Sequence, residues 1–366
     1  MVVSAIVRNS IGVRVSDSTA KKRISPMIVE MGASTRRNLG RDQTATPHGM
    51  SGVTGATSTQ PPRAPRVWAI GGGKGGIGKS VIAANLAVIL AQRGSRVVLI
   101  DGDLGGANLH TILGVPTTGP TLTDFLDRRH ERLDDIMAPT NTAGLSLIAG
   151  SRARVDSANP KYTQKARLLR HIAALPADHV VIDLGAGSSF NVLDFFLAAE
   201  HAVVVVVPEA TSVENAYHFL KAAYFRRMRR AQPRDRVRTA VASAMADLEA
   251  LGIRSPRELL LRVSETDPIA AEGLLREARS FDPALVVNRA RGPEHRQLGL
   301  DMALACEDYF GRRVTFLGAI EEDELLARSV RERRPAAERY PDSRFVAALH
   351  TIVDRLADGA EPARGA

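Results

Sequence analysis

From residue 66 onward the chain alternates between short runs of consecutive apolar residues and longer stretches of mixed polarity. Residues 67–70, 96–100, 145–148, 179–184, 202–207, 284–288 and 314–320 each read as strands. The runs are continuously apolar, as in Val203-Val204-Val205-Val206-Val207, rather than alternating. A strand covered on both faces needs that pattern, and a parallel sheet flanked by helices supplies the cover. Residues 81–91 are almost wholly apolar, which predicts a helix buried all round. The β-α alternation therefore predicts an α/β fold, doubly wound on a mostly parallel sheet. Over residues 231–282 the strand signal stops. Helical patterns at 238–251, 256–263 and 268–280, broken by Gly252, Pro256 and Pro268, predict a helical insertion there. Near the end, Phe345, Leu349, Ile352, Val353 and Leu356 fall on one face of a helix over residues 343–357.

Charge changes the picture less than its total suggests. The formal net charge is +9, but residues 1–66 hold ten Lys/Arg against three Asp/Glu, so only +2 belongs to the remaining 300 residues. The overall basicity is thus weak support for nucleic acid as a partner. Residues 1–65 lack sustained periodicity and close on Pro61-Pro62, so they are expected to be a disordered leader outside the fold. Two other readings stay open for this Arg/Ser-rich stretch: a targeting segment, or a true start at Met27, Met31 or Met50. The domain proper is expected at residues 66–357, and 358–366 reads as a flexible tail. One cysteine, Cys306, excludes a disulfide framework, a Cys-based zinc site and a cluster-binding cysteine set within one chain. No apolar run approaches the roughly 18–20 residues of a membrane span.

The chemistry concentrates after the first strand. Gly73-Lys74-Gly75-Gly76-Ile77-Gly78-Lys79-Ser80 fits the phosphate-loop pattern G-x-x-x-x-G-K-[ST]. Its glycines let backbone N–H groups turn inward around phosphates, Lys79 reaches the β- and γ-phosphates, and the Ser80 hydroxyl ligates Mg²⁺. The pattern lies between a strand and a helix, whose positive N-terminal end favours the anion. Gly71-Gly72-Gly73-Lys74-Gly75-Gly76 also fits a dinucleotide fingerprint, with Asp101 as its acid. That reading has no use for Lys79, Ser80 or the second carboxylate of Asp101-Gly102-Asp103. Asp183, which ends another apolar run in Asp183-Leu184-Gly185-Ala186-Gly187, stands where such enzymes place a carboxylate that supports Mg²⁺.

Lys74 adds a second lysine to the loop and gives K-G-G-x-G-K-S, the deviant Walker A signature. With Asp101-Gly102-Asp103 and the D-x-x-A-G of residues 183–187, the chain resembles the MinD/ParA family of dimerising ATPases. Asp103-Leu104-Gly105-Gly106-Ala107-Asn108-Leu109 and Pro208-Glu209-Ala210-Thr211-Ser212-Val213-Glu214-Asn215-Ala216-Tyr217 look most like the FlhG branch, MinD-like regulators of flagellar placement. The resemblance implies an ATPase using ATP and Mg²⁺, a homodimer in the ATP state and a regulatory partner protein. It implies that Lys74 crosses the dimer interface to a partner's nucleotide, that Asp103 handles the attacking water and that Asp101 and Asp183 support Mg²⁺. It implies further that residues 183–187 sense the γ-phosphate, that Asn288 and Arg289 contact adenine and that Asp323 makes nucleotide-side contacts. Glu321 stands where the family has proline. No arginine finger is evident, so slow hydrolysis follows. The location implied is cytoplasmic.

Two surface signals compete with plainer explanations. The final amphipathic helix is either packed or, as in some MinD relatives, membrane-directed. Arg226, Arg227, Arg229, Arg230, Arg234, Arg236 and Arg238 either grip DNA phosphates, dock a partner or simply solvate a helix end. Besides the switch, a ParA-like DNA-partition ATPase and an ATP-dependent metabolic enzyme are the alternative functions. His110 reads as a packing or solvent-facing residue, Cys306 as a buried packing residue, and Tyr217, Phe219, Tyr224 and Phe225 as core.

Overall fold

A computed structural model describes residues 64–116, 118–150, 160–230, 255–266, 268–312 and 314–357. Eight strands form one sheet: β1 (Arg66–Gly71), β2 (Val97–Asp101), β3 (Ala138–Pro139), β4 (Leu145–Ile148), β5 (His179–Asp183), β6 (His201–Val206), β7 (Ala284–Ala290) and β8 (Thr315–Glu321). Their order is β3-β4-β2-β5-β1-β6-β7-β8. Every pairing is parallel except that of the two-residue β3 with β4. The apolar runs thus form a mostly parallel sheet, and β1, which leads into the phosphate loop, lies at its centre.

Helices of eight residues or more are α1 (Lys79–Gln92), α2 (Tyr162–Ala173), α3 (Phe190–Ala198), α4 (Ala210–Arg230), α5 (Pro256–Thr266), α6 (Pro268–Arg279), α7 (Pro293–Phe310), α8 (Glu324–Arg331) and α9 (Arg344–Ala357). They make two cores, one on each face of the sheet. Val203 and Val205 of β6 pack with α1 and α9, while Val204 and Val206 pack with α4 and its neighbours. Alternation of side chains along a strand is why a valine run serves both cores. Helix α1 lies wholly within one of them, with eleven of its fourteen residues buried. Between α4 and β7, α5 and α6 cover two of the three predicted helical patterns; residues 238–251 lie outside the described residues.

The amphipathic C-terminal helix is a core element. Phe345, Leu349, Ile352 and Val353 of α9 are buried against α1 and β8. No helix among the described residues is long and apolar enough to cross a membrane.

Candidate nucleotide site

The carboxyl edge of the sheet gathers the predicted site residues. Residues 72–78 leave β1 and turn beneath the N-terminus of α1. Gly78 has φ 94°, a left-handed value that favours glycine. Gly73 is required by space, since a Cβ there would stand 2.1 Å from the Asn215 carbonyl oxygen of α4. The loop therefore lies directly on the backbone of that helix.

Lys79, the first residue of α1, is buried, and its ammonium curls into the loop to donate to the Lys74 carbonyl oxygen at 3.2 Å. Burial pulls its pKa below the ordinary lysine value, while Asp183 and Asp103 oppose the shift. Asp101 and Asp183 end neighbouring strands and pair in register, so both carboxylates reach the same level. Asp101 accepts from the Asp103 N–H at 3.3 Å and the Leu109 N–H at 3.1 Å. It ties down the loop that carries Asp103, and burial raises its pKa to about 6.

Asp183 is pushed up to about 7, chiefly by burial, and the Ser80 hydroxyl donates to it. Its Oδ1 is buried with no hydrogen-bond partner among the described residues. A buried carboxylate oxygen left without a donor is costly unless a cation or donor answers it. Magnesium takes oxygen ligands and usually keeps several waters. Ser80 and Asp183 fit such an ion, with Asp101 adding charge behind them.

Asp103 is half-buried and faces the loop of residues 183–187: a Cβ on Gly185 would meet its Oδ1 at 3.2 Å. That loop touches the phosphate loop in turn, where the Gly187 N–H donates to the Gly72 carbonyl oxygen at 3.3 Å. The loop of Asp103 therefore stands against that of Asp183, and the latter against the phosphate loop.

Lys74 behaves differently from Lys79. Its ammonium points out across the rim and donates to Glu209 Oε2 at 2.6 Å and Thr211 Oγ1 at 3.0 Å. The ion pair holds the Glu209 carboxyl below its usual range. Glu209 and Thr211 lie in the 208–217 run, yet sequence reasoning gave them no role; their place just past a strand at the carboxyl edge was the available signal.

Asn288 and Arg289 also reach the loop. Asn288 Nδ2 donates to the Ile77 carbonyl oxygen at 2.8 Å, and Arg289 Nη2 to the Gly76 carbonyl oxygen at 3.1 Å. Asp323 accepts from the Leu325 N–H at 2.9 Å and the Phe345 N–H at 3.4 Å, so both its oxygens engage backbone at the starts of α8 and α9. Beside β7 and β8 opens a cleft of about 870 Å³, lined in part by Arg291, Arg296, Glu321, Glu322 and Arg344.

The arginine cluster is partly committed to structure. Arg226 grips Asp194 with both Nε and Nη2, and Lys165 reaches the same buried carboxylate at 2.5 Å. Arg227 binds Ser280 at 3.0 Å and Glu277 at 3.3 Å. Arg229 is exposed, and Arg234, Arg236 and Arg238 lie outside the described residues. Tyr217, Phe219 and Tyr224 are buried core, with Phe225 half-buried beside them. Cys306 is buried as well, its thiol pushed up to about 12.

The nucleotide-binding domain model shared by CobQ, CobB, MinD and ParA matches residues 68–336. The chain belongs to that family. Antiactivator FleN of Pseudomonas aeruginosa is 34% identical over 158 residues, covering 43% of this chain and 55% of FleN. The flagellum site-determining protein YlxH of Helicobacter pylori is 34% identical over 160 residues, covering 42% and 52%. The chain thus spans about half the length of these relatives. Among solved structures, MinD of Pyrococcus horikoshii, determined with Mg-ADP, superposes with a TM-score of 0.54 at 23% identity, over 80% of this chain and 97% of that one. The shared fold is that of P-loop nucleotide-binding ATPases.

Proposed function

We propose that this protein is a Mg-ATP-dependent dimerising switch that hydrolyses ATP slowly and, in its ATP state, binds a regulatory partner. The ATPase comprises residues 66–357, with residues 231–282 as a helical insertion. Ser80 and Asp183 hold Mg²⁺, with Asp101 behind them. Lys79 and the N–H groups of residues 73–80 hold the phosphates, and Asp103 orients the water. When bound, Mg²⁺ would supply charge neutralisation to the phosphates.

The observation that carries the reading is the division of labour between two lysines. Lys79 fills its own loop. Lys74 stands at the rim, held among the described residues only by surface contacts to Glu209 and Thr211, where a second copy could draw it onto another nucleotide. A cation used across an interface couples assembly to the triphosphate. The name of YlxH, a flagellum site-determining protein, and that of FleN, an antiactivator, support control of flagellum placement through a partner as the output, and the cytoplasm is the location this reading implies.

The test is the solution mass of Asp103→Ala with ADP and with Mg-ATP, by light scattering after size exclusion. The expected result is a monomer with ADP and a dimer with ATP, with the dimer lost when Lys74→Ala is added. A mass indifferent to nucleotide would defeat the switch and return attention to small-molecule substrates.

A further inference from the structure

Asn288 and Arg289 are neighbours at the end of a strand, and neighbouring strand residues point to opposite faces. Here both side chains nevertheless reach the same loop. The reason is Arg289 itself, a non-glycine residue with φ 55°. The pairing of β7 with β8 shifts register between Val287 and Ala290, at the same place. A left-handed residue in a strand is uncommon, and such strain gathers at functional sites.

The targets of the two side chains say what the distortion accomplishes. In a trans peptide, the C=O and the following N–H point in opposite directions. Drawing the Gly76 carbonyl outward onto Arg289 turns the Ile77 N–H inward. Drawing the Ile77 carbonyl outward onto Asn288 turns the Gly78 N–H inward. Gly78 is shaped for this arrangement, since a Cβ there would lie 2.5 Å from Asn288 Nδ2.

We infer that Asn288 and Arg289 are positioning residues for the phosphate loop, setting the direction of its N–H donors before a polyphosphate arrives. Donors already aimed need no reorganisation when the charge enters. This rests on the reading of residues 73–80 as the phosphate site. It differs from a base contact in a measurable way: a positioning residue affects every polyphosphate equally, whatever base it carries.

The test uses the full chain and calorimetric titration with ADP, GDP and inorganic tripolyphosphate. Arg289→Ala should weaken all three by a common factor, about fivefold to tenfold, the loss of one hydrogen bond. The ratio of ADP to GDP affinity should stay at the wild-type value. Arg289→Gly, which suits φ 55° and removes only the guanidinium, should show the same common loss in a fold relieved of strain. Asn288→Ala should repeat the pattern. Loss of ADP affinity with tripolyphosphate untouched would assign the pair to the base and overturn the inference, as would unchanged affinity for all three. Failure of the wild type to bind any of them would instead defeat the phosphate-loop reading.

Discussion

At Gly73 the nearest obstacle to a side chain is a backbone carbonyl, which cannot swing aside as a flexible side chain would. Gly73→Ala must displace either the loop or the start of α4. Such overpacking costs about 1–3 kcal/mol, so the variant should melt several degrees lower and bind ADP poorly. Gly75→Ala is the control, because the nearest atom to its Cβ is the Ala186 Cβ at 3.9 Å. Its thermal stability should stay within about 0.5 kcal/mol of wild type. The contrast separates what was legible in the sequence from what was not. The glycine spacing and the two lysines announce a phosphate loop. The reason one glycine tolerates a methyl group and another does not lies in Asn215, more than a hundred residues away. The partners of Lys74, Asn288 and Arg289 were invisible for the same reason: each contact joins segments that only the sheet order brings together.

Elements were legible where periodicity carried their burial. The valine run of β6 and the apolar α1 announced two-sided cover, and the spacing of α9 announced its buried face. Leu349 of α9 is fully buried against α1. Leu349→Ala should destabilise the protein by about 2–5 kcal/mol, read from denaturant midpoints. A helix reserved for a membrane surface would lose far less. What periodicity could not show is polar residues used internally. Asn85 in α1 is fully buried and accepts from the Ala337 N–H at 2.8 Å, fastening the turn before α9. Arg226 reads as a surface cation in the sequence, yet it is clamped to Asp194 inside the helical layer. Two-residue β3 gave no signal because it has no pattern long enough to show one.

Across the whole molecule, the two edges of the sheet carry opposite kinds of shielded titratable group. The carboxyl edge holds Asp101 and Asp183, while the amino edge holds histidines around Trp68, the chain's single tryptophan. Trp68 Nε1 donates to His179 Nδ1 at 3.1 Å, which fixes a neutral ring with its proton on Nε2. The His201 ring packs on the indole at 4.5 Å, and its Nε2 is buried without a hydrogen bond among the described residues. Burial, with Arg66 nearby, holds both histidines below the usual value of 6.5, against the pull of Glu200 on both and of Asp178 on His179. As pH falls through about 6.5 the unfolded chain gains protons that the folded chain refuses, so stability is lost on acidification. The aspartates slope the other way, because their raised values make the folded chain hold protons that the unfolded chain gives up as pH rises above about 4. The two edges therefore oppose each other just below about pH 6.5, and total stability hides both. A double variant isolates one edge. His179→Gln with His201→Gln keeps an acceptor for Trp68 and removes the titration, while the aspartates remain in both proteins and cancel. Denaturant curves followed by Trp68 emission should show wild type losing stability relative to the double variant between pH 7 and pH 5. A difference that stays constant over that range would mean that the histidines titrate alike in the folded and unfolded chains.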